Sequence, residues 1–285
     1  AMHRLGRLAK YRLILTGTPV TQGPLDFFSQ YRFLDPNIFG NSYYAFRARY
    51  AIMGGFEKKQ VVGYKNLPEL IKKTHSIAFR VMKEEALDLP PFTDQVLYCE
   101  LEQKAMSIYT QLKKESVAEL SEEKILTATN VLSRLLRLSQ LTGGYLGDGE
   151  GGIEHVSKAK MNLLSEAIDD LVISAGKKVI IFARFLPEIA AIRKLLEKKQ
   201  VDYEWIAGEV KMEERGEAVR RFQEDKNCKV FVAQIQTAGL GITLTAADTA
   251  IFYSLDYSFA NYDQARARLH RIGQRNAVTY IHLVA

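Results

Sequence analysis

The spacing of apolar residues along this chain changes twice and divides it into three stretches. From residue 157 onward, short β-branched runs alternate with amphipathic ones. Lys178–Phe182, Tyr203–Ile206, Lys229–Ala233, Thr249–Tyr253 and Val278–Val284 have the length and composition of strands. Between most of them, in Met161–Ala175, Leu186–Lys199, Glu213–Phe222 and Tyr262–Arg271, apolar residues recur three and four apart. Strands alternating with helices predict an α/β fold, a parallel sheet covered on both faces.

The middle stretch, 92–156, reads as helical. Leu101–Leu120 and Ile125–Leu141 carry apolar residues at helical intervals, and Leu132, Leu135, Leu136, Leu138 and Leu141 make a broad apolar face. A glycine-rich patch, Gly143–Gly152, closes this helical hairpin. In the first stretch, 1–91, Tyr11–Thr16 predicts a short buried strand that stops at the turn Gly17-Thr18-Pro19. Leu25, Phe28, Tyr31, Phe33 and Leu34 predict a helix that ends at Asp35-Pro36. Phe39–Tyr64 is aromatic and basic, with Arg47, Arg49, Lys58 and Lys59. One strand cannot form a parallel sheet, so this stretch is expected to be the tail of an earlier domain.

Composition changes little in this picture. Hydrophobic residues make up 47% of the 285 and charged residues 25%, as in an ordinary globular protein. No apolar run reaches the roughly 18 residues that suggest a membrane span. No basic-then-apolar leader is visible, so a cytoplasmic setting is expected, or a nuclear one in a eukaryote. Cys99 and Cys228 each lie in apolar surroundings and have no zinc-ligand spacing, which predicts reduced thiols and no metal site. The net charge of +6 permits a polyanionic partner without requiring one.

Two features carry chemistry. Gln264, Arg268 and Arg271 stand at i, i+4 and i+7, which places them on one helical face, with Arg266 and Arg275 nearby. Two guanidiniums projecting together suit phosphate, because each is a permanently charged planar fork of donors. A solvated basic helix fits the same pattern equally well. The second feature is the run Val230–Ala233 leading to Gly239 and Gly241, where glycines after a strand allow close backbone approach to a ligand. Together the two features predict a phosphate-binding mouth at one end of the sheet.

The string Asp263-Gln-Ala-Arg-Ala-Arg-Leu-His-Arg-Ile-Gly-Gln274 closely resembles the last motif of the Swi/Snf family of superfamily-two helicase-like ATPases. Thr237–Asp248 resembles the motif before it, and Val179–Arg184 the strand that opens the second motor lobe. Gly208, Arg215 and Phe222 match a further family spacing. Leu15-Thr-Gly-Thr-Pro19 resembles the motif that closes the first lobe, and Arg80–Pro91 the segment that leaves it. The resemblance implies a RecA-like parallel sheet flanked by helices and preceded by a helical bridging or protrusion region. Its boundaries would be 1–91 for the tail of the first lobe with an insertion, 92–156 for the bridge, and 157–285 for the second lobe.

The resemblance also implies roles. Arg271 and Arg268 would reach the γ-phosphate of ATP across the lobe cleft, with Gln264 ordering that cluster. Gly239 and Gly241 would lie near the ribose and phosphates. Thr243, Thr245 and Arg184 would face the backbone of double-stranded DNA, and Thr16 and Thr18 would couple the lobes. The family commonly has Gly-Gly at Ala238-Gly239 and Asp-Trp-Asn-Pro at Asp256–Phe259, departures that point to a divergent bacterial or phage-like branch. No Gly-x-x-x-x-Gly-Lys-Ser/Thr loop and no Asp-Glu-x-His box occur in the chain. The loop that cradles phosphates and the acids that hold Mg²⁺ are therefore expected on a first lobe outside it, and the chain alone should not hydrolyse ATP. A non-catalytic module that binds nucleic acid or a protein partner is the alternative.

Overall fold

Side chains on successive strand residues point to opposite faces of a sheet, and here that alternation sorts the apolar residues into two cores. The computed structural model describes residues 2–121, 128–147, 152–239 and 241–285, in two units, 1–86 and 87–285.

In the larger unit the elements run β3 (Phe92–Tyr98), α7 (Gln103–Ser121), α8 (Ala128–Thr142), then the hairpin β4 (Tyr145–Gly147) and β5 (Ile153–His155). Next come α9 (Ala159–Ile168), which continues as a π-helix over Asp169–Ser174, β6 (Val179–Ala183), α10 (Leu186–Lys198) and β7 (Tyr203–Ile206). The unit closes with α11 (Met212–Glu224), β8 (Val230–Gln234), a 3-10 helix (Ile235–Gly239), β9 (Thr249–Phe252), α12 (Phe259–Arg266) and β10 (Val278–Val284). Six strands form one all-parallel sheet in the order β3-β10-β9-β6-β8-β7, with Ile181 beside both Ile251 and Val232.

Ile180, Phe182, Phe231, Ala233, Ala250 and Phe252 face α11 and α12, packing on Ala218, Phe222, Ala265 and Leu269. Val179, Ile181, Val230, Val232, Ile251 and Tyr253 face the other way, onto Leu164 and Ile168 of α9 and Ile189, Ile192 and Leu196 of α10. Each fully buried side chain of this size stabilises the fold by about 1.5–3 kcal/mol. Chain order reverses around β6: β7 and β8 lie on one side of it, β9 and β10 on the other. Such a reversal opens a crevice at the carboxyl ends of the central strands.

The smaller unit contains α1 (Met2–Leu8), α2 (Phe27–Leu34), α3 (Pro36–Phe39), α4 (Tyr43–Tyr50), β1 (Ala51–Gly54), β2 (Gln60–Tyr64), α5 (Leu67–Thr74) and α6 (Lys83–Ala86). β1 and β2 form an antiparallel hairpin, and Phe28, Phe46, Tyr50 and Leu70 make a small core. Asp35 and Ser42 cap α3 and α4 by accepting from Asn37 N and Ala45 N. This unit holds 14 Lys and Arg against six Asp and Glu, while residues 87–285 hold 25 against 27. The excess positive charge of the chain thus resides in residues 1–86.

Three sequence expectations are corrected. Tyr11–Thr16 is not a buried strand: Tyr11, Leu13 and Leu15 are exposed, and no strand among the described residues of that unit lies beside them to complete a ladder. Phe92–Tyr98, read as the start of a helical stretch, is the edge strand β3, so the sheet crosses the boundary expected at 156/157. The last helix ends at Arg266 instead of Arg271. Parts of the expected helical hairpin and of its glycine patch, residues 122–127 and 148–151, lie outside the described residues.

Phe252 stacks on Phe182 with centroids 5.2 Å apart and on His282 at 5.1 Å. Phe252→Ala is expected to cost about 3–5 kcal/mol, read as a lowered denaturant midpoint at unchanged slope. A cost under about 1 kcal/mol would show that this face is not close-packed.

Candidate functional site

The glycine-bearing loop leaves the carboxyl end of β8 through the 3-10 helix that ends at Gly239, and arrives at the amino end of β9. On the way it meets the segment that follows α12. Leu244 N donates to Arg268 O at 3.0 Å, which fixes the two backbones against each other. After Arg266 the regular helix gives way to tight turns, with Arg268 N bonded to Ala265 O and Arg271 N to Leu269 O. Gly273 turns the chain with φ +99°, and the buried Gln274 then ties the segment down. Its Nε2 donates to Ala247 O at 2.8 Å, and its Oε1 accepts from Arg275 N and Asn276 N. The bare sequence assigned Gln274 no role, although it ends the most specific motif in the chain.

These turns replace the expected helical face but keep its members together. Arg268 Nε donates to Gln264 O at 3.2 Å. Arg268 Nη1 and Arg271 Nη1 both reach the carbonyl oxygen of Ile242, at 3.4 and 3.2 Å. Neither arginine is in an ion pair with a carboxylate among the described residues. Burial pushes the Arg268 pKa down, and the adjacent Arg271 charge pushes the same way. Gly241, beside Ile242, has φ +73°, and a Cβ there would meet nothing within 4 Å. Two half-buried cations sharing one neutral acceptor beside an open glycine backbone are suited to an anion rich in acceptors.

Residues 6–143 match the SNF2-related domain, and residues 159–273 match the helicase conserved C-terminal domain. The chain belongs to the SNF2 family of superfamily-two helicase-like proteins. An uncharacterized ATP-dependent helicase of Mycoplasma genitalium is 29% identical to it, over 96% of this chain and 25% of the relative. Chromodomain-helicase-DNA-binding protein 1-like of Mus musculus is 30% identical, over 97% of this chain and 31% of the relative. Of solved structures, the Sulfolobus solfataricus SWI2/SNF2 ATPase core in complex with dsDNA is 27% identical with TM-score 0.56, over 99% of this chain and 59% of that one. The chain spans about a quarter of the length of the Mycoplasma relatives, 25% in both.

Within this SNF2 fold the other candidate residues are dispersed. Arg184 follows β6 at the carboxyl edge, its guanidinium 5.0 Å from the Phe185 ring centroid and 5.1 Å from that of Tyr257. Its Nη1 is buried and has no partner among the described residues. Gln234 crosslinks this edge: its Nε2 donates to Arg184 O and its Oε1 accepts from Gly208 N. Arg215, of the matched spacing, bonds the carbonyls of Ala207 and Gly208 from α11. Thr245 lies elsewhere, toward the amino end of β9, where its Oγ1 accepts from Gln223 Nε2 at 3.3 Å. Thr243 is half-buried and directly follows Ile242 in the chain. In the smaller unit, Thr16 Oγ1 accepts from Thr18 N at 3.1 Å, a local turn. Among the described residues no three His, Cys, Asp or Glu side chains gather to hold a metal ion.

Nothing in the amphipathic pattern of α10 distinguishes Glu188 from its solvated neighbours. It is 1% exposed, and its Oε2 accepts from the Ser254 hydroxyl and from Phe185 N and Arg184 N. Its Oε1 has no partner among the described residues and faces Gly143. Burial pushes the Glu188 pKa from 4.5 up to about 7, against the opposing pull of Ser254, Phe185 and Lys160.

The folded state therefore holds this proton up to about pH 7, while the unfolded chain releases it near 4.5. Because the folded state binds more protons in that window, stability falls as pH rises through it, by about 3 kcal/mol in all. Glu188→Gln is expected to remove this slope, so that melting temperature declines less between about pH 5 and 7 than in the parent. Equal slopes in the two proteins would overturn the assignment.

Proposed function

We propose that this chain supplies the second lobe of an ATP-driven motor that moves along double-stranded DNA, and that Arg271 is its arginine finger. The observation that carries this reading is the pair of guanidiniums, unpaired with acid among the described residues, that share the Ile242 carbonyl beside Gly241. A transferring phosphoryl group spreads negative charge over its oxygens, and charge held ready at that position lowers the barrier. Arg271 would address the γ-phosphate, with Arg268 beside it and Gln264 ordering the turn. Gly239 and Gly241 would let the backbone approach the ribose and phosphates.

The chain has no phosphate-cradling loop of the Gly-x-x-x-x-Gly-Lys-Ser/Thr type. In this proposal a first lobe provides that loop and the acids for Mg²⁺, and residues 1–91 belong to that lobe. Residues 92–156 bridge to the second lobe, which comprises 157–285 with β3 added to its sheet. Thr243, Thr245 and Arg184 would contact the DNA backbone, and Thr16 and Thr18 would link the lobes' movements. The basic excess in residues 1–86 supports a duplex partner held through its phosphates, so binding should weaken steeply with salt.

Two measurements test this. The chain by itself should hydrolyse no ATP above background, with or without DNA. Joined to a first lobe that carries the nucleotide loop, it should hydrolyse ATP when duplex DNA is added, and Arg271→Ala should lower that rate by about 10³-fold or more. Full turnover in the alanine variant would remove the finger assignment. DNA binding that no nucleotide affects, in the two-lobed protein, would favour a non-catalytic clamp.

A further inference from the structure

The turn after α12 has a second face. While Arg268 and Arg271 point at Ile242, Arg266 and His270 point at β3, the strand through which the chain enters the larger unit. The Arg266 guanidinium grips Asp94 with both prongs, Nη1 to Oδ1 at 2.6 Å and Nη2 to Oδ2 at 3.0 Å. It also lies 4.0 Å from the ring centroid of Tyr280 and 4.9 Å from that of Phe92, and Nη1 donates to the Tyr262 hydroxyl at 2.6 Å. Four residues on, His270 Nε2 donates to Pro90 O at 2.8 Å, and its ring meets Phe92 edge-on at 5.4 Å. The Arg266 carbonyl closes the arrangement by accepting from Leu269 N, His270 N and the Tyr280 hydroxyl.

β3 is an edge strand of the sheet, in register with β10 from Phe92 to Tyr98. It pairs with one strand only, β10, and Phe92, Val96 and Tyr98 are exposed. A surface ion pair is usually worth little. This one is different in kind, since the Arg266 side chain is 18% exposed, bidentate and stacked on rings. The turn, for its part, lacks the regular helical bonds that would fix Arg268 and Arg271 from within.

We infer that Arg266 and His270 are positioning residues, which set the reach of Arg268 and Arg271 by clamping their turn to residues 90–94, where the chain enters β3. A displacement of that strand is then passed to the finger within a single turn of chain. The inference rests on the finger reading above. Group placement at a reacting centre is sensitive to shifts of an ångström, which can cost about 10²-fold in rate.

The test uses the two-lobed, DNA-stimulated ATPase with Arg266→Ala, Asp94→Ala and the double variant. Each single change should lower kcat roughly 10- to 10²-fold and leave KM for ATP within about two-fold. The double variant should lose no more than the worse single one, because the two side chains act as one unit. Asp94→Asn, which keeps the shape of the side chain, serves if an alanine variant fails to fold, and it too should lower kcat. Unchanged kcat in the folded single variants, or multiplied losses in the double, would overturn the clamp. Arg271→Ala in the same background separates the two ideas. If it abolishes turnover while the clamp variants retain theirs, only the clamp fails; if it retains turnover, the finger reading fails first.

Discussion

Two guanidinium groups share a single carbonyl oxygen, that of Ile242, and the rest of the second unit is arranged to keep them there. Left to themselves, adjacent like charges separate or recruit carboxylates. Here the Leu244–Arg268 backbone bond and the Gln274 knot hold the turn while leaving both cations without an acidic partner among the described residues. The sheet contributes by delivering two segments to one place: the loop from β8 to β9, and the chain leaving α12. Close-packed cores on both faces of the sheet support the strands from which these segments leave.

Rigidity of the turn and attachment of the incoming strand have a common origin. Tyr280, in β10, stacks on Arg266 and holds its carbonyl, while the backbone of the same residue stands in register with Asp94 of β3. The strand that carries the chain in from residues 1–86 and the turn that presents the arginines therefore share supports. In a motor whose lobes move relative to one another, such sharing would tie the finger's placement to the path of the connecting chain. The buried Glu188 plays a different part, stitching the loops after β6 and β9 through Arg184 N and Ser254.

Much of this was legible in the amino-acid order. The five strands expected after residue 157 all form; the central β6, β8 and β9 are buried on both faces and leave a continuous apolar signal. The resemblance of Val179–Arg184, Thr237–Asp248 and Asp263–Gln274 to family motifs agrees with the helicase C-terminal domain match over 159–273. What failed did so for physical reasons. Phe92–Tyr98 is a strand with one neighbour and exposed side chains, so almost nothing in its hydrophobicity announces it. Tyr11–Thr16 has strand composition but no neighbour to pair with among the described residues of its unit. The helix expected to carry the arginine face stops at Arg266, where tertiary bonds to Leu244 and Tyr280 accompany the change to turns. Arg268 and Arg271 still converge, although by a path that helical periodicity does not describe. The Arg266–Asp94 pair spans residues far apart in the chain, and no local pattern could have revealed it.

The central claim is that Arg268 and Arg271 exchange the Ile242 carbonyl for phosphate oxygens when a first lobe presents a nucleotide. An experimental structure of the two-lobed protein on duplex DNA, with a γ-phosphate transition-state analogue bound, addresses it most directly. The account predicts the Arg271 guanidinium at hydrogen-bonding distance from the analogue's transferred group, with Arg268 beside it. Both arginines still resting on Ile242, with the analogue bound elsewhere in a closed cleft, would contradict it.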